Sequence, residues 1–137
     1  MQNEPDIYIL NRPRPQKRGL TLSKSGRIYL RSVVIKLLGL KKGDKIIFFC
    51  IGTQMYIAKS FCHPDAIHLY GRKSQLRGCS VSTVRCLFLH IPGIPPEAQE
   101  IDLVVSDHLE TITVGNDSLR ALAVVNRADA THCRFNT

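Results

Sequence analysis

Tryptophan is absent from the 137 residues, and methionine occurs only twice. No apolar run approaches the roughly 20 residues that a helix needs to cross a bilayer, which excludes a helical membrane protein. The first residues are polar and contain proline, unlike a secretory leader, so the cytoplasm is the expected location, with no membrane partner. The five cysteines are odd in number and form no CxxC, which argues against a secreted disulfide framework. Cys50 lies in an apolar run and Cys86 in a predicted helix, so both are expected as buried thiols. Cys62-His63 with His68, and His132-Cys133, lack the short spacing of a structural zinc site, so no metal is expected. The phosphate-binding loop, GxSxG, HExxH and the dinucleotide glycine fingerprint are all missing. The chain is therefore not expected to be an enzyme or to carry a cofactor.

Acidic residues are scarce where basic ones are dense. Residues 1–60 hold twelve Lys and Arg against Glu4, Asp6 and Asp44, whereas residues 61–137 hold seven against eight acids. The whole chain carries a formal +8 with a pI near 9.5. So uneven a distribution directs one half toward a polyanion, nucleic acid being the commonest in a cell. The competing explanation is a solvated basic face. Hydrophobic residues at 44% and charged residues at 22% fit one ordinary globular domain.

Periodicity predicts a mainly β chain with short helices. Ile7–Leu10 reads as an edge strand, and residues 11–19 (NRPRPQKRG) as a proline-rich basic arm. Leu20–Ser23 and Ile28–Leu30 alternate like half-buried strands around a Ser25-Gly26 turn. Ser32 is the predicted N-cap of a two-turn helix carrying Val33, Val34, Leu37 and Leu38, and Gly39 is its left-handed stop. Lys45–Ile51 reads as a strand buried on both faces, returning through Gly52-Thr53 as Met55–Lys59. Ala66–Tyr70 fits a strand or a helical turn. Ser82–His90 reads as a short helix ended by Pro92-Gly93. Ile101–Val105, Thr111–Val114 and Ala121–Val125 read as strands, the last two joined by Gly115-Asn116-Asp117.

The two halves repeat one order. Gly26 is followed by Gly39, Leu40, a polar turn and an apolar strand. Gly78 is followed by Gly93, Ile94, Pro95-Pro96-Glu97 and Ile101–Val105. Each half closes on a small-residue apolar strand, Tyr56–Lys59 or Ala123–Asn126. One such unit is too small to bury its own core, while two can close a barrel and leave few edges. The alternative is a single irregular β domain with coincident glycines.

Residues 22–59 resemble the AbrB/SpoVT/MazE family of swapped-hairpin DNA-binding domains. The resemblance rests on Gly26-Arg27, Leu38-Gly39-Leu40, Gly43-Asp44 and the hydrophobic hairpin that follows. It implies a swapped-hairpin, double-psi-like barrel, made here by two AbrB-like repeats in one chain. Residues 1–19 would be the strand and basic arm, 20–60 the first repeat and 61–137 a diverged second repeat, all in one domain. It also implies transcription regulation through duplex DNA. Arg31 stands where the family usually has proline. The second half lacks the Gly-Arg pair and the basic helix, and is expected to act as a structural partner.

Arg27, Arg31 and Lys36 are the central candidates for DNA contacts, since guanidinium forks suit phosphate or guanine edges. Lys24 adds to them. Arg12, Arg14, Lys17 and Arg18 form an arm suited to an A·T-rich minor groove. Lys41-Lys42 is expected in a solvated turn. The alternative is a protein-interaction module on the same barrel, antitoxin-like or an assembly component. The short segment after the last strand disfavours a MazE-like antitoxin. A second copy of the chain and a protein partner are the further associations this reading admits. A small-molecule barrel is the third option, with no positive sequence signal.

Overall fold

The structure, a computed structural model, describes residues 17–60, 63–72, 75–125 and 132–135. The first half runs β1 (Lys17–Ser23), β2 (Arg27–Leu30), α1 (Ser32–Leu38), β3 (Lys45–Ile51) and β4 (Gln54–Ser60). The second runs β5 (Ile67–His68), β6 (Tyr70–Arg72), β7 (Gln75–Cys79), α2 (Val81–His90), β8 (Ala98–Val105), β9 (Glu110–Val114), β10 (Asp117–Val125) and β11 (His132–Phe135). The expected strand at Ile7–Leu10 lies outside the described residues.

The strands form a nearly closed antiparallel barrel with two short helices. Hydrogen-bonded neighbours follow the order β5-β3-β4-β10-β8-β1-β2-β7-β6. The ends of that path meet because β5 and β6 are separated only by Leu69. That residue hands the segment from one neighbour to the other. Its N–H donates to the Asp44 carbonyl at 2.8 Å and its carbonyl accepts from the Gly43 N–H at 3.0 Å. The outer strand β9 pairs β10, and β11 pairs β8. The two small-residue strands meet directly, Ala58 opposite Ala121 and Tyr56 opposite Ala123.

Alternation places the core. Leu20 and Leu22 of β1, Ile28 and Leu30 of β2, Leu76 of β7, and Ile101, Leu103 and Val105 of β8 all point inward and are buried. Met55, Ile57 and Leu122 extend this core under β4 and β10. The helix α1 packs on β1 and β10 through Val34, Ile35 and Leu38, and α2 packs on β2.

The motif residues of the first half have structural tasks. Gly39 is left-handed at φ 64°, and the Leu40 N–H then returns to the Ile35 carbonyl at 2.9 Å, closing α1. Leu38 and Leu40 on either side are buried, which accounts for the Leu-Gly-Leu triplet. The Asp44 carboxylate accepts from the Lys41 N–H at 2.8 Å and pairs with the Lys59 ammonium at 3.2 Å, pinning the turn to β4. Gly93, following α2, also has positive φ, as Gly39 does after α1. Gly26 and Gly78 are not alike. Gly26 lies in the β1–β2 turn, whereas Gly78 sits inside β7 opposite Ile28 and packs on Ile67.

Several expectations need correcting. The first strand begins at Lys17, so residues 17–19 belong to β1, with a register shift between Arg18 and Leu20, and not to an arm. Ser32 is the first helical residue. Arg31 occupies the N-cap with no side-chain cap, because a guanidinium only donates and cannot accept from the first helical N–H groups. Ser80 does cap α2, accepting from the Thr83 N–H at 3.2 Å. The strand β3 is fully buried only at Ile46, half-buried from Ile47 to Phe49, and exposed at its end, Cys50-Ile51. Cys50, near the end of β3, and Cys86, on α2, are both exposed and are not the buried thiols expected.

Candidate functional site

The outer face of β1, β2, β7 and β6 carries an open groove of about 940 Å³. Its lining includes Arg18 and Thr21 of β1, Tyr29 and Arg31 at β2, Lys36 of α1, and Gln75 and Arg77 of β7. Alternation explains the collection, since Ile28, Leu30, Leu76 and Gly78 point inward and their neighbours point out. Register then ties the strands together. Thr21 is opposite Tyr29, Tyr29 opposite Arg77, and Arg77 opposite Tyr70. Arg72 lies opposite Gln75 on the same face. Glu100 and Asp107 add carboxylates to the lining.

One wall of the groove is a built ionic cluster. Asp102 of β8 points outward yet is only 1% exposed. Its carboxylate accepts from the Thr21 hydroxyl at 2.6 Å and from Arg31 Nη2 at 3.4 Å, and pairs with Arg18 Nη1 at 3.6 Å. Arg31 also donates to the Thr21 hydroxyl at 3.0 Å. Both arginines keep their outer sides in water, 55% exposed for Arg18 and 42% for Arg31. The Arg31 N–H donates to the Gly19 carbonyl at 3.0 Å, a bond that a proline at this position has no hydrogen to make. The cluster sets an expectation for stability. Asp102→Asn keeps an acceptor for Thr21 but loses both ion pairs. The half-exposed arginines rehydrate, so the loss is about 1–2 kcal/mol, below that of a fully buried pair, and a urea unfolding midpoint reads it.

Arg27 stands beside the groove on β2, with Nη1 3.4 Å from the Tyr29 hydroxyl. That hydrogen bond, and then the charge of Tyr29, raises the guanidinium pKa further above neutrality, so its charge is permanent. Arg27, Lys36, Arg72 and Arg77 form no ion pair with a described residue. The structure thus gathers Arg18, Arg27, Arg31 and Lys36 of the predicted residues. It adds Arg72 and Arg77 from the half that was expected to contribute none.

Lys24 does not join them. It sits in the β1–β2 turn, donates to the Pro96 carbonyl at 3.0 Å, and lines a second groove of about 410 Å³ with Val84, Arg85, Phe88, Leu89 and Ile94. Arg12, Arg14 and the Lys17 side chain lie outside the described residues, as does Cys62. Lys41 and Lys42 are exposed in their turn.

Cysteine chemistry has little footing. Burial, and then the charge of Cys86, pushes the Cys50 thiol up, and burial alone does so for Cys133. Neither is primed as a nucleophile. A Cys–His pair does form on α2, Cys86 Sγ lying 3.6 Å from His90 Nδ1. Among the described residues no three His, Cys, Asp or Glu side chains converge as a metal site, and no helix is long and apolar enough to cross a membrane. Neither a family model, nor a curated protein, nor a solved structure matches this chain.

Proposed function

We propose that the chain is a DNA-binding transcriptional regulator of AbrB-like type, with two diverged units closing one swapped-hairpin barrel. The pairing scheme supports the two-unit reading. β1 pairs β2 and β8, while the segment β5–β6 pairs β7 and β3. β3 pairs β4 as β8 pairs β10. β2 and β7 pair with each other, and so do β4 and β10. Exchanging each first-half element for its second-half counterpart leaves these pairings unchanged, while the outer strands β9 and β11 have no first-half counterpart.

The observation that carries the DNA reading is one groove lined by four cations from both halves, Arg18, Arg31, Lys36 and Arg77, with Arg27 and Arg72 on the same sheet face; four of the six have no ion-pair partner among the described residues. Guanidinium and ammonium groups on a sheet face bind phosphate and release its counterions. An electrophoretic shift of random duplex DNA across a salt series tests this. The logarithm of affinity is expected to fall against the logarithm of salt with a slope of about −3.5 to −5.5, for four to six phosphate contacts. Absence of a shift, or a flat salt response, sinks the reading.

A second reading, a protein-interaction module on the same barrel, draws on α2. Leu89 is 86% exposed there and Val81 44%, beside the groove lined by Val84 and Phe88. This reading predicts no salt-dependent DNA shift.

A further inference from the structure

Two tyrosines interleave with the arginines of the outer face. Tyr29 on β2 and Tyr70 on β6 flank Arg77 of β7, each directly opposite it in register. The Arg77 guanidinium carbon lies 5.4 Å from the Tyr70 ring centroid, and Tyr70 is 40% exposed. Tyr29, Arg77 and Tyr70 therefore follow one another across three neighbouring strands, the backbones of the two tyrosines roughly 10 Å apart at the usual strand spacing.

Such a row is more than phosphate binding requires. In a duplex the faces of the bases are stacked on one another, and only backbone and groove edges meet a protein. Flat π surfaces between cations match a strand whose base faces are free. An arginine guanidinium is itself flat and stacks as a ring does. By register Arg27 lies to one side of the row, and Arg31, just past β2, and Arg72 of β6 to the other, with Lys36 beside Arg31 in the groove; they stand where the phosphates of a strand laid across the sheet would pass.

We propose that this face binds an unpaired, base-exposing nucleic acid strand, with bases stacked on Tyr29 and Tyr70 about Arg77. The proposal rests on the nucleic-acid reading of the same face and extends it beyond the duplex. Pyrimidine strands of DNA and of RNA share the required chemistry.

The missing tryptophan makes the test direct, because the intrinsic emission of the chain comes from its four tyrosines. The full chain is titrated with oligo(dT), with oligo(U), each of about fifteen nucleotides, and with a duplex of equal length. The single strands are expected to quench tyrosine emission and the duplex to leave it nearly unchanged. Tyr29→Leu with Tyr70→Leu keeps every charge and is expected to weaken single-strand binding by roughly tenfold per ring, with duplex affinity unchanged. Tyr29→Phe with Tyr70→Phe keeps the rings and is expected to bind single strands as wild type does, which separates stacking from folding. Single-strand binding that depends on the rings, read for the variants by electrophoretic shift because they lack two of the emitting tyrosines, supports the proposal, and the tighter polymer names the sugar. Duplex binding without single-strand binding overturns it and leaves the regulator reading standing. So does a folded leucine variant that holds oligo(dT) and oligo(U) as wild type does. Ring-dependent single-strand binding without a duplex shift removes the regulator reading and upholds this one.

Discussion

Reversing Arg27 and Arg77 together, as R27E/R77E, is expected to lower affinity for duplex DNA by at least about a hundredfold. It should also flatten the salt dependence by about two in slope. Each reversal removes two positive charges from a chain of formal +8. Both side chains are exposed, and neither forms an ion pair with a described residue, so folding has little stake in them. The main structural loss is the Arg77–Tyr70 contact, worth less than about 1 kcal/mol at an exposed site. Arg31 is a poorer choice. A glutamate there would face Asp102 and Thr21 and confuse loss of binding with loss of stability. The pair Arg27 and Arg77 also takes one residue from each half, so it asks whether both halves build the surface. Electrophoretic shifts at matched salt, beside a thermal unfolding curve, decide the matter. Wild-type affinity in a folded R27E/R77E protein would place the DNA contacts elsewhere.

A large loss of stability from a one-carbon change is expected at Gly26→Ala. Gly26 has φ 106°, and a Cβ there would stand 3.0 Å from the Cα and N of Val81, the first residue of α2, and 2.7 Å from its Cγ2. Its carbonyl accepts from the Ser80 N–H at 2.8 Å, so the turn cannot withdraw without uncapping the helix. The positive φ costs alanine about 1–2 kcal/mol, and displacing the helix backbone adds a similar amount. A total of about 2–4 kcal/mol lowers the melting temperature by roughly 10 °C for a chain of this size. Gly39→Ala provides the comparison. Its φ of 64° is also positive, within the left-handed helical region, and nothing lies within 4 Å of the added carbon, so it should lose only the conformational part, about 1 kcal/mol. Equal losses at the two glycines would mean that α2 does not rest on the β1–β2 turn.

Local signals carried most of the fold and part of the site. The hairpin β3–β4, the short α1 with Gly39 behind it, and the strands β8, β9 and β10 are all written in periodicity and turn residues close together in the chain. The strand β7 was missed because QLRGC offers one large apolar side chain, too little alternation to register. Its partner β6 is three residues long with a glycine in the middle. Arg72 and Arg77 were lost with those strands, although both stood in plain view as charges. The barrel wall deceived in the opposite direction. Apolar residues run through β3, but only Ile46 is fully buried and the end of the strand is exposed on both faces, so the expectation of two buried faces failed most plainly at Cys50 and Ile51. Asp102 did leave a trace, a lone acid in the apolar run Ile101–Val105. A carboxylate buried in such a strand must find donors. Which donors was not legible, because Arg31 and Thr21 lie 71 and 81 residues away and only the β1–β8 register brings them together.

Every strand of the ring belongs to one polypeptide, and this has a consequence for how the surface behaves and diversifies. Closure is unimolecular, so dilution does not take the barrel apart, as it would a ring shared by two separate molecules. Arg27 and Arg77 keep their spacing at any copy number. Each is also encoded separately, so a change on one side of the β2–β7 junction is not copied to the other, and the two sides are free to drift toward targets that lack mirror-like halves.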